Sequence, residues 1–368
     1  MDLDIRQKKV VESEAKNILC LASAGAGKTR VLTERIRYLI TKKGVDPSKI
    51  VAITFTNLAA DEMKKRLSDI NKGIWIGTIH AYANYLCIKN GLDTQSYIDN
   101  HKFDKIIEKA NTIRKRSSFD EVEHLLVDEC QDISELEYGF LCRIPAKNCF
   151  YVGDERQAIY GFKGCSCEYL EAMANDPNFK VYFLNQNYRN APNIIKEANS
   201  YLYSFDPISP TPIAMKTKNG IVDHCSFMEA FEDLQESGNW GLWFILARTN
   251  LEVDTIMDIL EAADIPCVTF KKGDLNEMEL EEVLAENRVK VLTIHSAKGL
   301  ECKRAIMCGA RTYNEEERKI AYVGATRPEN ALYICPSVKR RKRKDNPLSD
   351  RTAAGDTFGK TSQKMIKF

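Results

Sequence analysis

The sequence lacks long hydrophobic runs, C-x-x-C cysteine pairs and a strong net charge. No apolar run approaches the roughly 18 residues of a membrane-spanning helix, and the N-terminus has no apolar signal region. The 12 cysteines include no C-x-x-C pair and lie mostly in apolar runs, where cysteine packs as a small hydrophobic residue. These features exclude a membrane-spanning protein and a zinc site. They predict a cytoplasmic protein with reduced cysteines and no membrane partner.

Charge is balanced over the whole chain but uneven along it. The net charge is +1, from 53 Lys and Arg against 52 Asp and Glu. Residues 337–368 carry ten Lys or Arg against three Asp, which is +7 and leaves −6 for the rest. The basic block at 339–344 therefore predicts a disordered tail from about residue 336. Three interpretations of this tail remain open. It could keep the protein in solution, contact nucleic-acid phosphates, or act as a nuclear localisation signal in a eukaryotic host.

A loop of small residues and glycines is the most informative stretch. An apolar run at 17–21 predicts a buried strand, the loop occupies 22–27, and an apolar-periodic helix follows. Inward-turned N–H groups and the helix N-terminus would bind phosphate oxygens. Lys28 should reach the β and γ phosphates, and the Thr29 hydroxyl should hold Mg²⁺. Ala22 replaces the first glycine of G-x-x-x-x-G-K-T, but the flanking strand and helix disfavour a chance glycine-rich turn.

An acidic pair follows a second buried strand. The apolar run at 124–127 ends in Asp128 and Glu129, about a hundred residues after the phosphate loop. On its own, an acidic pair after a strand would be interpreted as part of a solvated loop. Combined with the phosphate loop, it predicts that Asp128 holds Mg²⁺ through water, and that Glu129 orients and deprotonates the attacking water.

Strands alternate with helices along most of the chain, which predicts parallel sheets with ligand at the carboxyl ends of the strands. The predicted strands fall into a first set at 17–21, 50–55, 74–76, 124–127 and 149–152, and a second set at 181–184, 243–247, 289–294, 305–307 and 331–334.

The second set has no phosphate loop but brings arginines, at Arg189, Arg248 and Arg327. This division predicts one ATP at the interface of two domains, because an arginine supplied across a cleft stabilises charge in phosphoryl transfer. ATP would then close the cleft, and hydrolysis would open it.

At this point the chain resembles the UvrD/Rep/PcrA family of superfamily 1 DNA helicases. The resemblance covers nearly all of residues 1–335, and its motifs occur in the order in which the family has them. The matching strings are Gln7, ASAGAGKTR at 22–30, ITFTNLAADEMKKRL at 53–67, GTIHAYA at 77–83, LLVDECQD at 125–132, VGDERQAIYGFKG at 152–164, NYRN at 187–190, LARTN at 246–250, VLTIHSAKGLE at 291–301 and YVGATRPENALYI at 322–334.

The resemblance implies an α/β fold of two RecA-like (P-loop NTPase) domains, with parallel sheets flanked by helices. The first domain is expected at 1–182, with a small helical 1B-like insertion at about 81–124. The second is expected at 183–335, with a residual 2B-like linker at about 271–287, and 336–368 is the basic tail.

The resemblance also implies the residues of the nucleotide site. Adenine is expected to contact Gln7, Arg30 and Tyr188, and the ribose to contact Glu301. The catalytic residues implied are Glu129, Gln157, Arg189 and Arg327, with ATP and Mg²⁺ as cofactors. The remaining positions are those of the phosphate loop and the Mg²⁺ ligands, namely Ala24, Gly25, Ala26, Gly27, Lys28, Thr29 and Asp128.

For single-stranded DNA the resemblance implies a set of aromatic, cationic and polar side chains. Aromatic rings stack on any base and cations follow the backbone, so binding should tolerate any sequence. Alternatives remain open, since Tyr160 and Phe162 could be core residues, and His80 and His295 could be core residues at strand ends. The implied DNA contacts are Phe55, Asn57, His80, Tyr160, Phe162, Lys163, His295 and Lys298.

Three departures from the family pattern bear on function. The family's usual Trp-Arg is Phe162-Lys163 here, its T-F-H is Thr78-Ile79-His80, and the 2B insertion is too short to form a domain. A DNA-dependent ATPase and 3′–5′ helicase is the first hypothesis, acting as a monomer on single strands and single-strand/duplex junctions. The alternatives are a translocase without unwinding, or an ATP-gated subunit that needs a replication, repair or recombination partner.

Overall fold

In the first half of the chain, six parallel strands form one sheet. The computed structural model describes residues 2–113, 121–203, 207–271 and 274–339. The first sheet has the order β3-β2-β4-β5-β1-β6, so the strand before the phosphate loop lies between β5 and β6. Its strands are β1 (Asn17–Ala22), β2 (Ile50–Thr54), β3 (Trp75–Thr78), β4 (His124–Val127), β5 (Asn148–Gly153) and β6 (Phe179–Leu184).

Helices cover both faces of this sheet, because its central strands are apolar on both sides. On β1, Leu19 and Leu21 enter one core, and Ile18 and Cys20 enter the other. The helices of this half are α1 (Ile5–Val11), α2 (Lys28–Thr41), α3 (Asn57–Arg66), α4 (Ile79–Lys89), α5 (Gln95–Asp99), α6 (Phe103–Ala110), α7 (Glu135–Leu141) and α8 (Glu168–Asn175).

The second half repeats this architecture. Its parallel sheet has the order β11-β12-β10-β13-β14-β9, and a small two-stranded sheet of β7 and β8 precedes it. The strands are β7 (Gln186–Asn187), β8 (Ile213–Ala214), β9 (Ile221–His224), β10 (Trp243–Ala247), β11 (Cys267–Val268), β12 (Val289–Thr293), β13 (Cys302–Cys308) and β14 (Pro328–Cys335). The helices are α9 (Pro192–Ser200), α10 (Phe227–Ser237), α11 (Asn250–Ala262), α12 (Glu277–Ala285) and α13 (Glu315–Ala325).

Two parallel sheets flanked by helices confirm the predicted fold class. The edge strands β9 and β11 were not predicted, since β9 is largely exposed and polar and β11 has two residues.

Strand β6 corrects the assignment of 181–184 to the second set. Every residue from Phe179 to Leu184 pairs with β1, from Asn17 to Ala22, so β6 completes the first sheet. The expected boundary between residues 182 and 183 therefore falls inside this strand. An apolar run alone does not indicate which of two similar sheets it joins.

The two expected insertions contain short helices. Helices α4, α5 and α6 lie between β3 and β4, and α4 packs on α6. The part of the predicted tail from residue 340 onward lies outside the described residues. Between β11 and β12 the described residues form one helix, α12. Within the described ranges, no helix has the length and apolar character needed to cross a bilayer.

Candidate ATP site and nucleic-acid cleft

The loop between β1 and α2 leaves the start of α2 open to a ligand. Gly27 caps α2 with φ +84° and, having no side chain, makes no side-chain capping bond to the first turn of the helix. Gly25 also has positive φ, at +67°, and a Cβ there would lie 2.7 Å from Nδ2 of Asn187. The missing Cβ atoms thus allow a tight loop. Such a loop, with Lys28 and Thr29 at its end, fits a polyphosphate.

Neighbouring elements hold this loop in place. The Tyr188 N–H donates to the Gly25 carbonyl at 3.0 Å, and Asn187 Nδ2 donates to the Ala24 carbonyl at 2.8 Å. From α1, the Nε2 of buried Gln7 donates to the Ala26 carbonyl at 3.0 Å. The loop is therefore fixed by α1 on one side and by the segment after β6 on the other.

Gln7 and Tyr188, two of the three expected adenine contacts, lie together beside this loop. The Gln7 side-chain oxygen accepts from the Asp4 N–H at 3.1 Å, so both ends of the Gln7 amide are engaged. The Tyr188 hydroxyl donates to Asp4, and burial together with this bond raises the pKa of Tyr188 to about 12. Arg30, the third residue, lies in the first turn of α2. A hydrogen bond from Gln7 to adenine would replace one of the bonds that Gln7 makes here.

The acidic pair at the end of β4 lies opposite the loop. Asp128 is 4% exposed, and burial and the neighbouring Glu129 raise its pKa to about 7. Lys28 Nζ lies 3.9 Å from Glu129 Oε1. The Asp128 carboxylate and the Thr29 hydroxyl are oxygen donors of the kind that Mg²⁺ prefers, and a divalent cation would offset the cost of the buried charge. The residues therefore fit the expected ion.

Glu129 has an unusual backbone. Its φ is +51°, in the left-handed region that non-glycine residues rarely adopt. Strain of this kind persists where the surroundings fix it, often at functional sites. Here the Glu129 N–H donates to Asp128 Oδ1 at 2.9 Å, and Gln131 Nε2 donates to Glu129 Oε2. The strand end and Gln131 together orient this carboxylate.

The second domain brings Arg327 to Gln157. Arg327 is 1% exposed, and its Nη2 lies 3.3 Å from Gln157 Oε1. Its Nε donates to the Val323 carbonyl at 2.8 Å, which fixes the guanidinium at the end of α13. Burial, followed by the nearby Arg189, lowers the pKa of Arg327 to about 10, so it remains charged at neutral pH. Two of the four expected catalytic side chains thus meet across the domain boundary.

The other arginines differ in their partners. Arg189 pairs with Glu301, and its Nη1 donates to the Thr326 carbonyl at 3.3 Å. Two residues expected to touch different parts of ATP therefore contact each other. Arg248 forms a two-pronged ion pair with Glu317, with both bonds at 2.7 Å. Arg248 lines the cleft described next, which corrects its grouping with the nucleotide-site arginines.

A cleft of about 2290 Å³ runs between the two domains. It collects every expected DNA contact except Lys163, whose side chain lies outside the described atoms. These cleft-lining residues are Phe55, Asn57, His80, Tyr160, Phe162, His295 and Lys298. Residues scattered over 240 positions of sequence thus form one continuous surface.

The two aromatic candidates, Tyr160 and Phe162, have different environments. Phe162 is 67% exposed, so its ring is available to a base. Tyr160 is 4% exposed because it stacks on Phe55 at 5.3 Å and packs into the core of the second domain. Tyr160 therefore forms the floor of the cleft, as the core interpretation expected, and Phe162 projects from it.

The histidines are held by protein groups on the cleft walls. His80 Nε2 lies 3.4 Å from Asp104, and its Nδ1 lies 4.0 Å from Glu137. The His295 carbonyl accepts from the Tyr160 hydroxyl at 3.4 Å, and burial is the main cause that lowers the pKa of His295. His295 is therefore neutral at pH 7, and any DNA contact it makes is a hydrogen bond or a ring contact.

Lys298, an expected DNA contact, is engaged by protein groups in this structure. It is 5% exposed, and its ammonium pairs with Asp132 and donates to the Gln157 carbonyl at 2.7 Å. These bonds use two of the three N–H donors of the ammonium. The sequence reasoning missed Asp132 and Gln131, although both stand in the DECQD string, because nothing in that string identifies their partners.

Comparison with known proteins agrees with this geometry. The model of the UvrD/REP helicase N-terminal domain matches residues 3–116 and 100–178, and the model of the UvrD-like helicase C-terminal domain matches 271–339. The chain belongs to the UvrD/REP helicase family. Its two sheets are accordingly RecA-like domains, as the resemblance implied.

Several proteins named as DNA helicases are similar to this family member. The ATP-dependent DNA helicase PcrA of Leuconostoc citreum is 27% identical, over 71% of this chain and 49% of its own. A probable DNA helicase of Mycoplasma pneumoniae is 25% identical, over 90% of this chain and 83% of its own. DNA helicase II of Escherichia coli is 26% identical, over 76% of this chain and 53% of its own. The chain thus spans about half the length of the Leuconostoc citreum and Escherichia coli relatives.

Proposed function

We propose that this chain is an ATP-driven motor that moves 3′ to 5′ along single-stranded DNA and opens duplexes at single-strand junctions. One observation carries the proposal. A cleft with an exposed aromatic ring lies between the two domains, and Gln157 of the first domain meets Arg327 of the second. The names of the relatives, which include an ATP-dependent DNA helicase, support the same activity.

The proposed hydrolysis divides its tasks between the two domains. In the first domain the loop N–H groups and Lys28 bind the phosphates, and Glu129 takes a proton from the attacking water. From the second domain Arg327 and Arg189 contact the γ-phosphate and stabilise its developing charge, beside Gln157. Mg²⁺, held by Thr29 and Asp128, would neutralise phosphate charge.

The nucleoside would be held beside the loop. Gln7, Arg30 and Tyr188 would contact adenine, and Glu301 would contact the ribose. Movement of Arg189 to the γ-phosphate would release Glu301 Oε1, with which Arg189 pairs in this structure. Nucleotide binding would therefore rearrange the Arg189–Glu301 pair and draw the domains together.

On the DNA side, Phe162 would stack on a base, and the cleft walls at His80, Asn57 and His295 would contact the backbone. Stacking on an aromatic ring is tolerant of sequence, so we propose a substrate of single-stranded DNA without a defined sequence. Closing and opening of the domains around ATP would move this surface along the strand.

A second candidate, a translocase that does not separate strands by itself, is favoured by one feature. Between β11 and β12 the described residues form only α12, of nine residues, in the segment where the family's 2B insertion was expected to be reduced to a linker. Translocation on a single strand needs only the two domains and their cleft.

Unwinding of a labelled duplex with a 3′ tail, beside one with a 5′ tail, separates these candidates. The reactions contain ATP and Mg²⁺ with low enzyme excess, and phosphate release is measured in the same tubes. Opening of the 3′-tailed duplex alone supports the helicase. DNA-stimulated hydrolysis with neither duplex opened supports the translocase, or a subunit that requires a partner. Absence of DNA-stimulated hydrolysis would refute both.

A further inference from the structure

Helix α3 forms one wall of the cleft, from the floor outward. Phe55, just before this helix, stacks on Tyr160 of the floor, with ring centres 5.3 Å apart. The next residues that line the cleft recur every three or four positions, so they share one face of the helix. They are Asn57, Asp61 and Lys64. At 1.5 Å per residue, α3 carries this wall about 12 Å away from the floor by Lys65.

Helix α12 of the second domain meets the outer end of this wall. It packs against α3, and its Glu281 pairs with Lys65. The residues at the start of α12 that line the same cleft are Asn276, Glu279 and Leu280. The domains also touch at the floor, where the Tyr160 hydroxyl donates to the His295 carbonyl at 3.4 Å. The cleft therefore lies between two contacts that join the domains.

The outer contact is built to open at little cost. Lys65 and Glu281 are 61% and 57% exposed, and an ion pair so open to water is weak. A cavity of about 440 Å³ lies between the two helices, and Met278 beside it stays exposed. Contacts with little buried apolar surface open readily by local motion.

The charge of α12 suits it to cover a nucleic acid without binding it. Its nine residues, 277–285, include four glutamates and no lysine or arginine. Such a helix repels a phosphate backbone. A strand in the cleft would therefore be held by the floor and the walls, while α12 limits its escape.

We propose that α12 is a strap, which closes the cleft around a bound single strand by pairing with α3. The inference rests on the proposed function, because that function places the strand in this cleft. An enclosed strand leaves when its free end passes through the cleft or when the strap opens. The weak pair lets a strand without ends enter, and its closure then delays dissociation.

Charge reversal distinguishes a strap from a general electrostatic effect. Lys65→Glu, Glu281→Lys and the double variant are compared with wild type in their dissociation from closed circular single-stranded DNA, without nucleotide and at low salt. Each single change places like charges at the contact and should speed dissociation, by up to about fivefold. The double variant should regain the wild-type rate. If Lys65 only attracted phosphate, Glu281→Lys would slow dissociation instead.

The matched control for these variants is Glu282→Lys. Glu282 is an exposed glutamate of the same helix that does not line the cavity between α12 and α3. Its replacement adds the same charge as Glu281→Lys but leaves the pair intact. Dissociation of this variant should be no faster than that of wild type.

Cross-linking tests enclosure directly. A chain with Lys65→Cys and Glu281→Cys is joined by a bismaleimide before or after DNA is added, and each single cysteine variant controls for reaction at exposed Cys142. Protein joined first should bind linear oligo(dT) by its end but lose binding to the circle. Protein joined on the circle should resist high salt and leave when the circle is cut.

Four results would overturn the inference. These are failure of the two positions to join, equal binding of circle and oligo(dT) by protein joined first, release of the joined complex by salt, and slower dissociation of Glu281→Lys. Wild-type protein that binds neither form of single-stranded DNA would instead refute the proposed function, and the inference with it.

Discussion

Replacement of Phe162 by alanine should weaken DNA binding without weakening the fold. Phe162 is 67% exposed, so its truncation removes little buried surface and should change the free energy of unfolding by no more than about 0.5 kcal/mol. Tyr160 gives the opposite expectation. It is 4% exposed and stacks on Phe55, so Tyr160→Ala should destabilise the fold by about 3–5 kcal/mol.

The expected loss of binding energy follows from the environment of the Phe162 ring. Stacking of one base on an aromatic side chain contributes about 1–3 kcal/mol. A phenyl ring offers less area than the indole usual in the family, and the Phe162 ring already makes an edge-to-face contact with His295, with ring centres 5.7 Å apart. We therefore expect the lower part of that range, about 1–2 kcal/mol, which is roughly a 5- to 30-fold rise in Kd.

Fluorescence anisotropy of labelled oligo(dT), without nucleotide and at one fixed salt concentration, measures this change. Phe183→Ala is the matched control, because Phe183 is an exposed phenylalanine of β6 that does not line the cleft. The salt dependence of Kd should be the same in all three proteins, since no charge is removed. Wild-type affinity in Phe162→Ala, or an equal loss in Phe183→Ala, would refute the assignment of Phe162 as the stacking platform.

Four further outcomes are expected. Gly25→Ala should abolish binding of a fluorescent ATP analogue, because its Cβ would lie 2.7 Å from Asn187 Nδ2 at a φ of +67°; retained affinity would show that the loop adapts. Glu129→Gln should bind that analogue but not hydrolyse ATP, and phosphate release near the wild-type rate would exclude Glu129 as the base. Chelation of Mg²⁺ with EDTA should stop hydrolysis while DNA affinity of the nucleotide-free protein is retained; hydrolysis that survives chelation would contradict the metal assignment. Burial holds the pKa of His124 at about 4, below its unfolded value near 6.5, so the unfolded state binds more protons and stability should fall from pH 6.5 towards 4. Urea denaturation of wild type and His124→Gln at pH 7 and 4.5 measures that slope, and an identical loss in both proteins would contradict it.

The sequence was sufficient for most of the fold, because each central strand is a short apolar run with a glycine or polar residue at its end. It was insufficient for β6. Its apolar run at 181–184 could complete either sheet, and only its pairing with Asn17–Ala22 decides. Long-range pairing of this kind leaves no local pattern in the strand itself.

The functional site, like the fold, could be predicted only in part. The small-residue loop and the acidic pair could be predicted, because phosphate and metal chemistry require those residue types at that spacing. The different environments of Tyr160 and Phe162 could not be predicted, since two aromatic residues two positions apart look equivalent in the sequence. Lys298 and Asp132 lie 166 positions apart, so nothing local could identify them as partners.

The central claim is that the phosphate loop and the cleft form one ATP-driven motor on single-stranded DNA. The most direct test is the steady-state rate of ATP hydrolysis with Mg²⁺ as oligo(dT) is titrated, with Glu129→Gln as the background. The account predicts a saturable rise in rate with oligo(dT), and no rise in the variant. A wild-type rate that stays at the level of Glu129→Gln at every DNA concentration would contradict it.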